Sequence, residues 1–529
     1  MKIAPIKDTL TKIRSGILLS AAFCCLLFIY APVEIFAGNS GSFPFGIGSL
    51  LKPMIPSALL AAAFLSLLFL LVFRLNEASY VNLLAVFFTV FIIMFVQGMF
   101  FSSSLPAFTG EEVDLSLFPR QNAVSLAIAV LSAALVIVLL KTSGRERFSK
   151  TVESFSILVI AFMLVASCVL SVRCSAGAKK EVCVPTWNHL TEMGSEENLV
   201  VIVLDNEDAS HFSDEFEDFT YYSNAMSGYS VTKYSVPLIL SGEWYENQCD
   251  YDEYLEYVFT SSPLVSALDG YSMGMYEEDI PFSGVISTVY ENISPVSRPG
   301  FEHPLKFTAL QLRLALFRYS PYILKSVFSV TPDEIYLACC RRPDSGDVFF
   351  WGNSEFAGIV KSRDFVSCGD RAFRFIHLIG AHAPFENGNY DSTMSESLNI
   401  VHDYLDRLRD SGFYDNSAIV ILGDHGCEGD GITGRHNPVL LIKGIGERHS
   451  FRESDAPVSY ADLEAAFESL LEGSSGDSVF DCSPGEIRER RFLTMYLDRD
   501  GTAFEYVSEG HASDLSSMVS TGHSYPPYK

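Results

Sequence analysis

Five apolar runs crowd the first 175 residues, and no other feature of the sequence restricts the fold as much. They are Gly16–Phe36, Met54–Phe73, Val81–Phe101, Val124–Leu140 and Ser156–Val172. Each is close to the ~20 residues that carry a helix across a hydrocarbon core of ~30 Å. None carries the regular polar stripe of a surface helix. One such run at an N-terminus could be a cleaved signal, but five could not. The runs predict a five-helix transmembrane region over residues 1–175.

Basic residues give the expected orientation. Lys2, Lys7, Lys12 and Arg14 precede the first run, Arg74 follows the second, and Lys141, Arg145, Arg147 and Lys150 separate the fourth from the fifth. Glu111, Glu112 and Asp114 lie in a loop of the opposite set. Positive charge collects on the cytoplasmic side. The expectation is a multi-pass cell-membrane protein with a cytoplasmic N-terminus. An odd number of spans then places the remaining chain in an extracellular or periplasmic space.

Charge also separates the two parts. The whole chain has a formal net charge of −27 although 48% of it is hydrophobic. Residues 1–175 hold 12 Lys and Arg against 8 Asp and Glu, leaving 25 against 56 for the rest. An acidic surplus of that size opposes binding to nucleic acid. No glycine-rich nucleotide loop is present either. The expected organisation is a linker at 176–196 and a second domain at 197–529.

That second domain reads as α/β. Asn198–Leu204, NLVVIVL, is a continuous apolar run of the kind buried on both faces in a parallel sheet. Phe373–Ile379, Ala418–Leu422 and Val439–Lys443 are similar, and Tyr271–Tyr276 is a weaker strand. Helical patterns lie at Leu264–Leu268, Ala309–Phe328, Ser395–Leu408 and Tyr460–Leu471. Two further strands, Phe492–Leu497 and Ala503–Val507, lie near the end. Strand–helix alternation predicts a layered domain with a mostly parallel sheet, whose ligands bind beyond the carboxyl ends of the strands.

The strand ends therefore form a shortlist. Asp205 ends the first, His382 follows another, and Gly423-Asp424-His425-Gly426 follows a third. A carboxylate beside an imidazole suits Mn²⁺ or Zn²⁺, with Mg²⁺ fitting less well. The plain alternatives are a capped turn at Asp424-His425 and a helix cap at Asp205. Residues 223–242 lead small and hydroxyl side chains into an apolar stretch, as where a loop opens a helix. Free N–H groups there favour an anion, but Ser and Thr are also ordinary caps.

Taken in order, Asp205, Thr232-x-x-Ser235-Val236-Pro237, His382-x-Pro384, Gly423-Asp424-His425-Gly426 and Asn437-Pro438 resemble the alkaline phosphatase/sulfatase superfamily. The likeness is greater to its membrane-bound branch, the lipoteichoic acid synthases and phosphoethanolamine transferases, which also have five spans and an external sulfatase-like domain. The resemblance implies Thr232 as nucleophile and Asp205, Thr232, Asp424 and His425 around one divalent metal. It implies substrate contacts from His382 and from His436 or Arg435, and leaves His377 as a structural strand residue. The transferase branch usually has Glu where this chain has Asp205. The sulfatase Cys is absent, as is the Arg of its motif. The implied reaction moves a phosphoglycerol or phosphoethanolamine-type group from a phospholipid to a glycan or lipid acceptor. A phosphate or sulfate ester hydrolase of the same fold and a non-catalytic membrane sensor are the alternatives.

Overall fold

The computed structural model describes residues 11–38, 45–101, 118–176, 183–278, 284–295, 301, 304–330, 346–383, 385, 388–427, 435–495 and 502–526. Lys2, Lys7, Glu111, Glu112, Asp114, Pro384 and the end of the expected strand at Leu497 fall outside them. The chain divides into two compact units. One is Met1–Lys179 with Pro299–Arg341, and the other is Lys180–Arg298 with Arg342–Lys529.

In the first unit, four helices of the described residues are long and apolar enough to cross a membrane. They are Arg14–Gly38, Ile47–Leu75, Glu77–Phe100 and Pro119–Cys174. The last contains both the fourth and the fifth apolar run, and Gly144 interrupts it with φ 75° and ψ 166°. Only glycine adopts such a backbone readily. The bundle interior is apolar and aromatic: Phe23, Phe69, Phe88, Phe91 and Met163 are buried there. Outward-facing side chains such as Leu60 and Phe64 are exposed, as expected where lipid rather than water is the solvent.

The second unit contains strands β1 (Cys183–Pro185), β2 (Glu192–Leu204), β3 (Thr220–Tyr222), β4 (Ser272–Tyr276) and β5 (Ile293–Pro295). They are followed by β6 (Val366–Leu378), β7 (Ser417–Gly423), β8 (Leu440–Lys443), β9 (Arg452–Ser454), β10 (Arg490–Met495), β11 (Ala503–Ser508) and β12 (Val519–Tyr525). The stretch read as a linker thus contributes β1 and the start of β2. A seven-stranded sheet has the order β4-β6-β2-β7-β8-β3-β9. Its first four strands are mutually parallel, whereas β8 runs antiparallel to β7 and to β3.

Strand alternation sends each run into two cores. Leu199, Val201 and Val203 face one side, where they meet the helix Thr232–Ser241. Val200, Ile202 and Leu204 face the other, against Tyr390–Asp410 and Asn353–Ser362. Burial on both faces explains why these strands read as unbroken apolar runs.

Two expectations shift in detail. The helix expected at Ala309–Phe328 is Pro304–Tyr319, followed by single 3₁₀ turns at Tyr322–Leu324 and Ser326–Phe328. Pro321 cannot continue the α-helical ladder, and it disfavours helical backbone at Ser320. The tail forms three antiparallel strands rather than two, because β12 pairs with β11.

Candidate active site

The four parallel strands end side by side, and each delivers one ionisable side chain to the same face. Asp205 follows β2, Asp424 follows β7, His377 is the next-to-last residue of β6, and Glu277 follows β4. Their positions continue the alternating rows Leu199-Val201-Val203, Val420-Leu422, Phe373-Phe375 and Met273-Met275, which all face one core. All four are buried.

Three turns hold the acidic end of this row together. Asn206 adopts a positive φ of 65°, and its N–H donates to Asp424 Oδ1 at 3.1 Å. His425 N–H donates to the same oxygen at 2.8 Å. Gly380, at φ 53°, crosses directly over Asp205, where a Cβ would come within 2.6 Å of the Asp205 N and O atoms. Any larger residue would push the β6 loop off the strand end.

Thr232 arrives from the sheet face. It opens the helix Thr232–Ser241, which ends at Gly242 in the left-handed conformation, as glycine permits. The Thr232 hydroxyl donates to Asp205 Oδ2 over a long 3.4 Å. One turn later, Ser235 Oγ donates to the Asp424 carbonyl at 2.6 Å. The Thr-x-x-Ser spacing puts both hydroxyls on one side of the helix, one on each acidic strand end.

Ligand-type atoms of Asp205, Asp424 and His425 all lie within 4.8 Å of one another. His425 Nδ1–H donates to the Gly426 carbonyl at 3.0 Å. Nε2 stands 3.4 Å from Asp424 Oδ2 and 3.8 Å from Asp205 Oδ1. Occupied in that way, Nδ1 leaves Nε2 as the basic nitrogen facing the carboxylates. Burial pushes the His425 pKa down to about 4, so the ring is neutral at pH 7. Burial opposes the charge of Asp424, but His425, His377 and bonds from Thr232 and Asn206 outweigh it and hold its pKa below the usual range. Asp424 Oδ2 is fully buried without a well-formed hydrogen bond. Two buried carboxylates, a neutral imidazole and a hydroxyl converging on one point fit a divalent cation.

The remaining expected residues are arranged around this cluster. His382 is half-buried, with Nδ1 on the Ala383 carbonyl, and burial lowers its pKa. The Arg435 charge acts on both His382 and His425, while its Nη1 donates to the Ser230 carbonyl at 3.3 Å. His436 is buried and commits Nε2 to the Ala512 carbonyl.

Glu277 is the residue that sequence reasoning missed. Its Oε2 lies 2.7 Å from His377 Nδ1, with both side chains at 0% exposure. Burial works against the charged ring, yet Glu277 above all, then Asp205 and Asp424, carry the His377 pKa up to about 10. The row therefore reads carboxylate, imidazolium, carboxylate, carboxylate. In the sequence, Glu277 followed a weak strand and preceded Glu278 and Asp279, the pattern of a solvated surface. Only the continuation of the odd-numbered row from Met273 and Met275 could have signalled it.

No family model matches the chain, and no curated protein matches it. Among solved structures, the complex of Ps i-CgsB with k-i-k-neocarrahexaose is 12% identical, covering 59% of this chain and 82% of that one at a TM-score of 0.38. The lipoteichoic acid synthase LtaP from Listeria monocytogenes is 12% identical over 64% and 88%, at 0.33. A protein in the alkaline phosphatase superfamily from Vibrio parahaemolyticus is 10% identical over 65% and 80%, also at 0.33. At that level of likeness, the chemistry has to come from this chain's own side chains.

Proposed function

We propose that this chain is a membrane-anchored transferase that moves a phosphoglycerol or phosphoethanolamine-type group from a phospholipid to a cell-envelope acceptor, with Thr232 as nucleophile. The observation that carries this reading is the approach of the Thr232 hydroxyl to Asp205 within a buried cluster of Asp424 and His425. A divalent cation, Mn²⁺ or Zn²⁺ by donor set, held by Asp205, Thr232, Asp424 and His425 would supply the charge that makes an alcohol acidic at neutral pH.

The chain's own groups then have distinct tasks. Thr232 Oγ1 gives its proton toward Asp205 Oδ2 and attacks phosphorus in line. The bond from phosphorus to the diacylglycerol oxygen breaks, and diacylglycerol leaves with the proton that Thr232 gave up. His382 is suited to the leaving oxygen. Arg435, with its charge toward both histidines, is better placed for the non-bridging oxygens than His436, whose Nε2 is already engaged. An acceptor hydroxyl reverses the first step and regenerates Thr232; water in its place would make the same site a hydrolase. Five passes and an external site would keep these groups near a donor that stays in the bilayer.

Full-length protein and Thr232→Ala, incubated with head-group-labelled phospholipid and Mn²⁺ or Zn²⁺, test the reading. Diacylglycerol release by the intact protein alone is expected. Equal release by the alanine variant would remove Thr232 from the mechanism.

A further inference from the structure

The first unit includes a segment that the sequence places far from the membrane helices. Residues 304–330 fold with the apolar bundle. Arg318 grips Glu34 with two bonds, Nε to Oε2 at 3.0 Å and Nη2 to Oε1 at 2.6 Å. The Tyr319 hydroxyl adds a third at 2.6 Å. The Tyr319 ring lies so close to Gly98 that a Cβ there would stand 2.1 Å from it. Tyr322 N–H donates to Ser125 Oγ at 3.2 Å. Phe307 is buried with Phe36, Leu50 and Met54, and Cys174 packs on the same cluster.

These partners share one end of the bundle. Glu34 and Phe36 close the first helix, Leu50 and Met54 open the second, and Gly98 closes the third. Ser125 opens the fourth helix and Cys174 ends it. In an alternating topology, all of them belong to the face on which the chain leaves the membrane.

The outer side of the segment is apolar. Leu305 is 83% exposed, Val327 68%, Ile323 51% and Leu324 44%. The membrane helices show lipid the same kind of surface, with Leu59 at 68% and Leu60 at 74%. Residues 304–330 contain no acidic residue, although the chain as a whole is strongly acidic; of their basic residues Lys306 is exposed and Arg313 half-buried, whereas Arg318 is held by Glu34 and Lys325 is buried. Apolar side chains beside Lys and Arg are the composition of an element lying at the boundary of head groups and acyl chains.

We propose that Pro304–Phe328 is an interfacial membrane segment that inserts Leu305, Ile323, Leu324 and Val327 among the lipids at this end of the bundle. Its partner is the bilayer itself. The inference rests on the membrane part of the proposed function and is independent of its chemistry.

The test places a photoreactive benzoylphenylalanine singly at Leu305, Ile323 or Val327 of the full chain in phospholipid nanodiscs. Leu60 serves as the bilayer reference and the exposed Val519 of the second unit as the water reference. Mass spectrometry then reads lipid adducts after irradiation. Adducts at all three positions, roughly tenfold or more above Val519, are expected of an inserted segment. Adducts at Leu60 but background at the three sites would overturn the inference while leaving the membrane helices intact. Background at Leu60 as well would overturn both. Adducts to a co-purified protein instead of lipid would make this face a protein interface and would also overturn it.

Discussion

At Thr232 a secondary alcohol stands 3.4 Å from Asp205 Oδ2, and the Asp424 pKa is held down partly by the same hydroxyl. Asp205 and Asp424 are two anions in one buried place, which is costly without a cation. Mn²⁺ or Zn²⁺ should therefore raise the unfolding temperature of the purified protein, as calorimetry would show. Asp424→Asn should lose most of that rise; an unchanged rise would place the ion elsewhere. The His377 pKa is raised from an ordinary 6.5 to about 10. Its stabilising contribution is complete below about 6.5 and disappears as pH climbs through about 10. Metal-free protein should lose on the order of 1 kcal/mol or more over that interval, and His377→Gln should flatten the loss in denaturant titrations. These residues were unequally legible. Asp205, Asp424 and His425 stood out because they end unbroken apolar runs. Thr232 stood out through Ser235 and Pro237 beside it. Glu277 did not, because its partner His377 is 100 residues away in sequence and becomes adjacent only when β4 and β6 pair.

Whole elements were easiest to read where one environment covers the full length. Runs buried on both faces gave the parallel strands β2, β6 and β7 and the antiparallel β8, while β4 gave only a weak signal, and runs facing lipid gave the membrane helices. Short or edge elements were not readable in this way. β9 is only Arg452–Ser454, exposed or half-buried along its length, and has no apolar pattern. Helix Pro304–Tyr319 shows its apolar pattern plainly, but periodicity cannot say which surface receives it. That answer lies in Glu34 and Gly98, more than 200 residues earlier. Arg318→Leu would leave Glu34 without its guanidinium partner, at a cost of about 1–3 kcal/mol. Gly98→Leu would collide with the Tyr319 ring and should cost at least as much. Thermal unfolding of the detergent-solubilised protein would measure both. Wild-type stability in Gly98→Leu would show that the helix does not pack there.

Across the whole molecule, the charge imbalance becomes a statement about where positive potential comes from. The 25 basic residues beyond position 175 face 56 acidic ones, so long-range attraction cannot bring an anionic head group to the site. Local sources remain: the cation site and Arg435. Transfer should accordingly depend on added metal more steeply than on ionic strength, which assays across salt concentration would reveal. The most direct measurement is the intact mass of the peptide carrying Thr232 after rapid quenching with phospholipid and metal but no acceptor. The account predicts an added phosphorylated head group on Thr232, absent in Thr232→Ala and after chelation. Robust lipid turnover with Thr232 never modified, or with the group on another residue, would contradict it.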